Sequence, residues 1–286
     1  MSNEKSLKVE NNTSLLLRKT FSSASKSDST LCLCTCIIVS AVVSNETEDT
    51  FKGLPGLLAD ALPDKYGNRL INVWLAKQGR PENSMNPVEK LCFIGRRGMG
   101  ALEFEPAQIK TNKNTFSLEL DSLIDVAKKM LNERESFLTN IDKDEEKAMQ
   151  DILKIGTSAG GARPKAVIAY HPKTKEIRSG QSNVPKGFEH WLIKLDGVSG
   201  AQFGESTGWG RVEYAYYLMA KECGINISEC ELLEENGRAH FMTKRFDREE
   251  GNIKHHIQTF PMHHSYLLYR FHCYHSYHKY YIHLLF

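Results

Sequence analysis

Apolar residues recur with two different periods along the chain, and these periods predict where helices and strands lie. In residues 51–156 the spacing is helical: Tyr66, Leu70 and Val73 share one face, and a second stripe begins at Leu120. A third helix is expected to end at Gly156, because glycine is the residue that most often follows the last turn of a helix. A short helix is also expected from residue 86 to residue 91, where Asn-Pro opens an apolar run.

Beyond residue 157 the pattern changes to that of β-strands with one helix among them. Asn236-Gly237 is a strong signal for a tight hairpin, because both residues tolerate the left-handed backbone that the turn requires. The predicted order is a strand hairpin, a third strand, a helix ended by Gly224, and a final hairpin. These elements cover residues 165–170, 176–178, 189–195, 209–223, 230–233 and 239–246. The fold class is therefore α+β, with an antiparallel sheet that carries one helix.

A loop of small residues, GTSAGGARPK at residues 156–165, leads directly into the first of these strands. Glycines allow backbone N–H groups to approach a phosphate, and a lysine on a nearby strand adds a positive charge. Lys194 lies on such a strand, and Glu213 in the following helix can pair with it. The same order of glycine loop, lysine strand and glutamate helix is found in the small lobe of protein kinases. The alternative is an ordinary sheet with one helix, in which both residues are surface charges.

The two ends of the chain differ in composition from the middle. Residues 1–50 are polar and rich in Ser and Thr, which is typical of a disordered leader, apart from an apolar run at residues 31–43 that is too short to span a bilayer. Cys32, Cys34 and Cys36 alternate within that run, which favours one face of a strand over a metal site. Seven cysteines without a framework spacing favour a reducing cytoplasm, and a net charge of +2 does not by itself imply a nucleic acid or a membrane as partner.

Five motifs resemble, in order, those of the HipA family of serine/threonine protein kinases, the toxins of type II toxin–antitoxin modules. They are FKGLPGLLADALPD (residues 51–64), GRRGMGALEFEP (95–106), SAGGARPK (158–165), EYAYYLMAKECG (213–224) and KRFDR (244–248). The resemblance implies a helical and β amino-terminal subdomain at residues 51–140 and a kinase-like small lobe at 141–260. It also implies ATP and Mg²⁺ as cofactors, and phosphorylation of a protein, which is an aminoacyl-tRNA synthetase in the best-known members, so that growth is arrested. The implied partner is a HipB-like helix-turn-helix antitoxin, through which alone the chain would meet DNA.

The resemblance assigns a role to individual residues. Ser158 matches the loop serine whose autophosphorylation expels the loop and blocks ATP binding. Lys194 matches the phosphate-binding lysine and Glu213 its partner in the helix. The residues that match the loop over the phosphates are Gly160, Gly161, Ala162, Arg163 and Lys165. The residues that match the hinge, which meets adenine through its backbone, are Lys244, Arg245 and Phe246.

The chain departs from the family pattern at both ends. Residues 1–50 do not resemble the β-barrel-like segment with which the family begins. After Phe260 the motifs stop, no aspartate follows Asp247, and residues 261–286 contain six His and six Tyr. This tail is expected to be the product of a damaged reading frame rather than a metal site of His263, His264, His272 and His275. The large helical lobe with the family's catalytic aspartates is then missing, and no catalytic residue can be assigned.

We therefore expect a copy of the toxin kinase that transfers no phosphate. Two alternatives stay open at this point. The chain could be a module that binds the antitoxin without catalysis, or a non-functional product that folds poorly.

Overall fold

The computed structural model describes residues 5–9, 13–19, 51–54, 56–109, 115–132, 141–181, 183–198, 208–257 and 259, the first two ranges by their backbone alone. These residues form two compact units. The first contains the described residues up to Leu62, then Met85–Ile109, and the described residues from Lys254 to 259. The second contains Pro63–Ser84 and the described residues from 115 to Ile253. Because Pro63–Ser84 joins the second unit, the division does not follow a single boundary at residue 140.

The first unit is built around a three-stranded antiparallel sheet in the order β1-β2-β3. Its strands are β1 (Lys5–Val9), β2 (Thr13–Lys19) and β3 (Leu102–Glu105), and its helices are α1 (Gly56–Ala59) and α3 (Pro87–Ile94). Asn86 caps α3, because its side chain accepts a hydrogen bond from the Glu89 N–H while the Glu89 side chain reaches back to the Asn86 N–H. One apolar cluster of this unit is formed by Leu58, Val88, Leu91, Cys92 and Phe104.

The sequence indicated no strands in the polar leader, whereas the structure contains β1 and β2. Leu16 of β2 pairs with Glu105 of β3, nearly ninety positions further along the chain. A strand that depends on so distant a partner gives little local signal, since pairing and not propensity determines it. The apolar run at residues 31–43, with Cys32, Cys34 and Cys36, lies outside the described residues.

The second unit places helices against a five-stranded sheet. The helices are α2 (Lys65–Lys77), α4 (Leu120–Asn132), α5 (Lys143–Gly156) and α6 (Trp209–Glu222). The strands are β4 (Lys165–Tyr170), β5 (Ile177–Ser179), β6 (Glu189–Lys194), β7 (Cys230–Glu235) and β8 (Arg238–Lys244), in the antiparallel order β5-β4-β6-β8-β7. Two short strands follow, β9 (Arg248–Glu249) and β10 (Ile253–Lys254). The α+β class and the antiparallel sheet with one helix upon it are confirmed.

Three helices of this unit pack together, and one of them contacts the sheet. α5 packs against α4, α2 and strand β4, and every residue of β4 is buried. Asp142 caps α5 through hydrogen bonds from the N–H groups of Asp144 and Glu145, and the helix ends at Gly156 as predicted. The end of α5 and the start of β4 are therefore both fixed, and the glycine loop spans the distance between them.

The helix α6 is covered on one side only. Tyr217 packs with Cys230 and Phe241 of the sheet, while Val212, Tyr216 and Met219, which the sequence placed on one face, are exposed. Gly224 follows the helix with φ +72° and ends it as expected.

Among the described residues, Cys92, Cys223 and Cys230 carry free thiols. Within that same part of the chain, no helix is both long enough and apolar enough to cross a bilayer. The histidines of the tail lie outside the described residues.

Candidate functional site

Two lysines lie directly opposite each other on adjacent strands. The antiparallel register of β4 and β6 pairs Lys165 with Lys194, so both side chains project from the same face of the sheet. The Lys194 Nζ lies 2.5 Å from the Glu213 Oε2 of α6, and each of these side chains is 16% exposed. The predicted lysine–glutamate pair is therefore formed, and Glu213 balances one of two neighbouring positive charges.

Lys165 is the more deeply buried of the two lysines, with 2% of its surface exposed. Its ammonium donates a hydrogen bond to the Gly160 carbonyl of the loop. Burial, and then the charge of Lys194, lower the pKa of Lys165 to about 8, while Asp64 and Glu213 oppose that change. The two nearby carboxylates therefore do not offset the cost of burying this cation.

The glycine loop, residues 157–164, lies over these lysines between α5 and β4. Gly161 has φ +104°, and the Lys165 Nζ lies so close that a β-carbon at this position would collide with it. Gly160 and Ala162 are exposed, whereas Ser158 is half-buried and accepts a hydrogen bond from Gln181 at 2.9 Å. The loop thus combines an exposed small-residue backbone with an underlying ammonium group.

A cleft opens between the end of the loop, the end of β6 and the start of α6. The guanidinium of Arg163 stacks on the ring of Trp209 at 4.2 Å. The residues that line the cleft include Arg163, Pro164, Lys194, Asp196, Trp209 and Glu213. Of the residues predicted to bind the nucleotide, Arg163, Lys194 and Glu213 line this cleft.

Asp196 anchors the chain that leaves β6 along the edge of this cleft. Its Oδ2 accepts a hydrogen bond from the Ala239 N–H at 3.1 Å, and its own N–H donates to the His240 Nδ1 at 2.8 Å. His240 is fully buried, and burial, followed by the charge of Arg238, lowers its pKa to about 4, against the opposing charge of Asp196. The Glu235 Oε1 lies 3.4 Å from the His240 Nε2. The imidazole is neutral at pH 7, and its Nδ1 accepts the hydrogen bond that holds Asp196 at the edge of the cleft.

The predicted hinge lies apart from the lysines. Trp191 pairs with Lys244 and Lys194 with Phe241, so the hinge begins three residues, about 10 Å, along the sheet. The N–H groups of Lys244 and Arg245 already donate to the carbonyls of Glu229 and His190. The Arg245 side chain is buried in a bidentate pair with Asp247, at 2.8 and 2.6 Å. Arg245 therefore has a clear structural role, and an adenine contact at residues 244–246 stays a prediction.

Sequence reasoning missed three residues that shape this site: Asp64, Trp209 and Asp196. Asp64 precedes a helix and reads as a simple cap, yet its carboxylate accepts a hydrogen bond from the Gly161 N–H at 2.5 Å. Trp209 was predicted only as the start of a helix, and no role was predicted for Asp196, which directly follows the predicted strand at residues 189–195. No local pattern distinguishes these roles, because each depends on a residue at least 43 positions away in the chain.

The arrangement is suited to binding a polyphosphate. The Lys194 ammonium and the Arg163 guanidinium line the cleft, and the glycine loop with Lys165 beneath it precedes Arg163; ammonium, guanidinium and backbone N–H groups all donate to phosphate oxygens. Across the described ranges, no three of the His, Cys, Asp and Glu side chains are grouped so as to hold a metal ion, so no magnesium ligand is assigned here.

The comparisons with known proteins agree with the motifs. The family described as the HipA N-terminal domain matches residues 29–105, and the family described as the HipA-like C-terminal domain matches residues 157–284. The second match extends beyond Phe260, where the resemblance to the family was expected to end. No match is found among curated proteins.

One solved structure that the chain resembles is the complex of HipA, HipB and operator DNA of the Shewanella oneidensis MR-1 toxin–antitoxin system. The identity is 17% and the TM-score 0.41; the match covers 71% of this chain and 43% of that one. The chain therefore spans less than half the length of the protein it resembles. On the two family matches, which lie in the family's order along the sequence, the chain belongs to the HipA family.

Proposed function

We propose that the chain is the nucleotide-binding part of a HipA-type toxin kinase and that it binds ATP by its phosphates. The observation that carries this proposal is the pairing of Lys165 with Lys194 beneath the glycine loop. Lys194 is oriented by Glu213, and Lys165 lies under the loop backbone. When bound, ATP would supply a transferable γ-phosphoryl group.

The energetics favour a ligand site over an ordinary sheet with surface charges. Two like charges placed directly opposite on one sheet face destabilise the fold, and a buried ammonium adds a desolvation cost. A protein without a use for these charges would gain stability from apolar residues at the same positions. A bound polyphosphate neutralises both ammonium groups and offsets their cost.

We further propose that this chain holds ATP without transferring phosphate. Phosphoryl transfer requires carboxylates that place metal ions and orient the attacking hydroxyl. The carboxylates nearest the lysines already accept hydrogen bonds from protein donors: Glu213 from Lys194, Asp64 from Gly161 and Asp196 from Ala239. In family members that act on a protein substrate, such as an aminoacyl-tRNA synthetase, other residues would supply this chemistry.

A HipB-like antitoxin is the proposed partner. The support is the family match over residues 29–105, which is described as the HipA N-terminal domain. Contact with operator DNA would then occur through the antitoxin. Co-purification with the antitoxin encoded beside the gene tests this proposal, and a failure of the two proteins to associate contradicts it.

Nucleotide binding is tested by isothermal titration of the purified chain with ATP, for the wild type and K194M. Loss of a charge-assisted hydrogen bond costs about 1.5–3 kcal/mol, so the Kd of K194M should rise roughly 10- to 100-fold. The control is K221M, which removes an exposed lysine of α6 that lies outside the cleft and should leave the Kd unchanged. Absence of ATP binding by the wild type, or equal Kd values for wild type and K194M, refutes the proposal.

Phosphoryl transfer is tested separately by mass spectrometry after incubation with ATP and Mg²⁺. We expect Ser158 to stay unmodified. Robust magnesium-dependent phosphorylation of Ser158 by the purified chain contradicts the second part of the proposal and leaves the first intact.

A further inference from the structure

We propose that residues 64–67, at the start of α2, form a clamp that holds the glycine loop closed over Lys165, with Asp64 as its positioning residue. Asp64 occupies the N-cap position of α2 but makes no side-chain cap hydrogen bond there. Its carboxylate accepts a hydrogen bond from the Gly161 N–H instead, at 2.5 Å. The acceptor that normally stabilises a helix start is thus directed to the loop.

Two further contacts seat the loop on the same helix start. The Tyr66 N–H donates to the Gly161 carbonyl at 3.3 Å, so that both polar groups of the Gly161 backbone are engaged by residues 64–67. Gly67 lies against the Thr157 carbonyl so closely that a β-carbon at this position would collide with it. The start and the middle of the loop are therefore in contact with residues 64–67.

The closed loop covers Lys165. The Lys165 ammonium donates to the Gly160 carbonyl, one residue from the clamped position, and the side chain is almost completely buried. If the bond between Asp64 and Gly161 is lost, the glycine segment is free to rise, and the ammonium group gains access to water. The accessibility of Lys165 therefore reports the state of the clamp without any ligand.

A simple capping role for Asp64 makes different predictions, and Asp142 provides the comparison. Asp142 is the N-cap residue of α5 in the same unit, and its side chain makes the cap hydrogen bonds that Asp64 lacks. The D142A variant should lose stability and leave Lys165 unchanged. The D64A variant should change Lys165 and lose less stability than D142A.

The experiment is pulse acylation of lysine amines with acetic anhydride between pH 6 and pH 11, with the extent at Lys165 measured by mass spectrometry. The wild type should give a midpoint near pH 8. In D64A the midpoint should move toward the ordinary lysine value of 10.5, because the ammonium becomes hydrated. In D64N, which keeps a carbonyl acceptor for the Gly161 N–H but lacks the negative charge, the midpoint should stay at or below that of the wild type.

The outcomes separate the alternatives. An unchanged midpoint in D64A shows that the loop does not depend on Asp64. A lower midpoint shows that Asp64 acts on Lys165 by its charge alone, and a loss of stability equal to that of D142A with unchanged labelling shows an ordinary cap. Each of these three results overturns the clamp.

The consequence for nucleotide binding rests on the proposed function. The loop backbone can donate to the phosphates only while the loop stays over Lys165, so D64A, in which the loop is released, should bind ATP several-fold more weakly than the wild type. If the wild type binds no ATP, the proposed function fails, whereas the labelling result still decides whether the clamp exists.

Discussion

Replacement of Lys165 by methionine is expected to stabilise the protein, which is the opposite of what removal of a hydrogen-bonded core residue usually does. Burial lowers the pKa of Lys165 from 10.5 to about 8. The charged form is therefore disfavoured in the folded protein by about 3 kcal/mol at pH 7. Methionine has a similar length and no charge, so K165M should recover roughly 1–3 kcal/mol after the loss of the hydrogen bond to Gly160.

The pH dependence provides the sharper test. Between pH 8 and pH 10.5 the unfolded chain keeps the proton on Lys165 while the folded protein releases it, so the free energy of unfolding of the wild type should rise with pH. Below pH 8 both states hold the proton and the full cost of the buried charge is present. K165M should lack this rise, so the difference between the two proteins should shrink as the pH increases through this window.

The assay is urea denaturation at pH 7, 8, 9 and 10, with K194M as the matched control. Lys194 faces the same side of the sheet, but its removal leaves the Glu213 carboxylate, 16% exposed, without its partner. K194M should therefore lose stability, by roughly 1–3 kcal/mol. The reasoning is refuted if K165M is less stable than the wild type at pH 7, or if the difference between them does not change with pH.

Two further predictions concern the surroundings of the cleft. Because burial lowers the pKa of His240 from 6.5 to about 4, stability should fall by up to roughly 3 kcal/mol as the pH decreases from 6.5 to 4, since the unfolded chain takes up a proton that the folded protein refuses. Urea denaturation should show a smaller loss over this range in H240N, and equal losses in the two proteins contradict the prediction. G210A should cost roughly 1–3 kcal/mol, because the added methyl group collides with the Ala239 carbonyl. G224A meets only open space and should cost about 1 kcal/mol from its positive φ alone, so equal thermal shifts for the two variants would show that the contact at Gly210 is not tight.

The local pattern of the sequence was sufficient to predict most of the helices and strands of the second unit. Strands β4, β6 and β8 were expected within two residues of their observed ends, and Asn236-Gly237 does form the turn between β7 and β8. The pairing of Lys194 with Glu213 also followed from sequence, because a strand followed by a helix on the same sheet brings such residues together. These features depend on neighbouring elements, for which periodicity and turn residues carry the information.

The features that give the site its chemistry depend on contacts between distant parts of the chain. The register of β4 and β6 places Lys165 opposite Lys194, and no local pattern specifies that register. The same is true of β2, which pairs with β3. The Arg245–Asp247 pair is local in sequence, but its burial depends on the residues that pack around it. Each of these contacts is decided by which surfaces pack together.

The sequence by itself therefore determined the order of the elements, the glycine loop, the lysine and glutamate of the site, and the family to which the chain belongs. Only the tertiary structure decided that Lys165 is buried beside a second lysine, that Asp64 binds the loop rather than its own helix, and that Asp196 and His240 fix the edge of the cleft. The physical reason is that the spacing of residues records local backbone preference, whereas desolvation and charge interactions depend on the groups that folding brings close together.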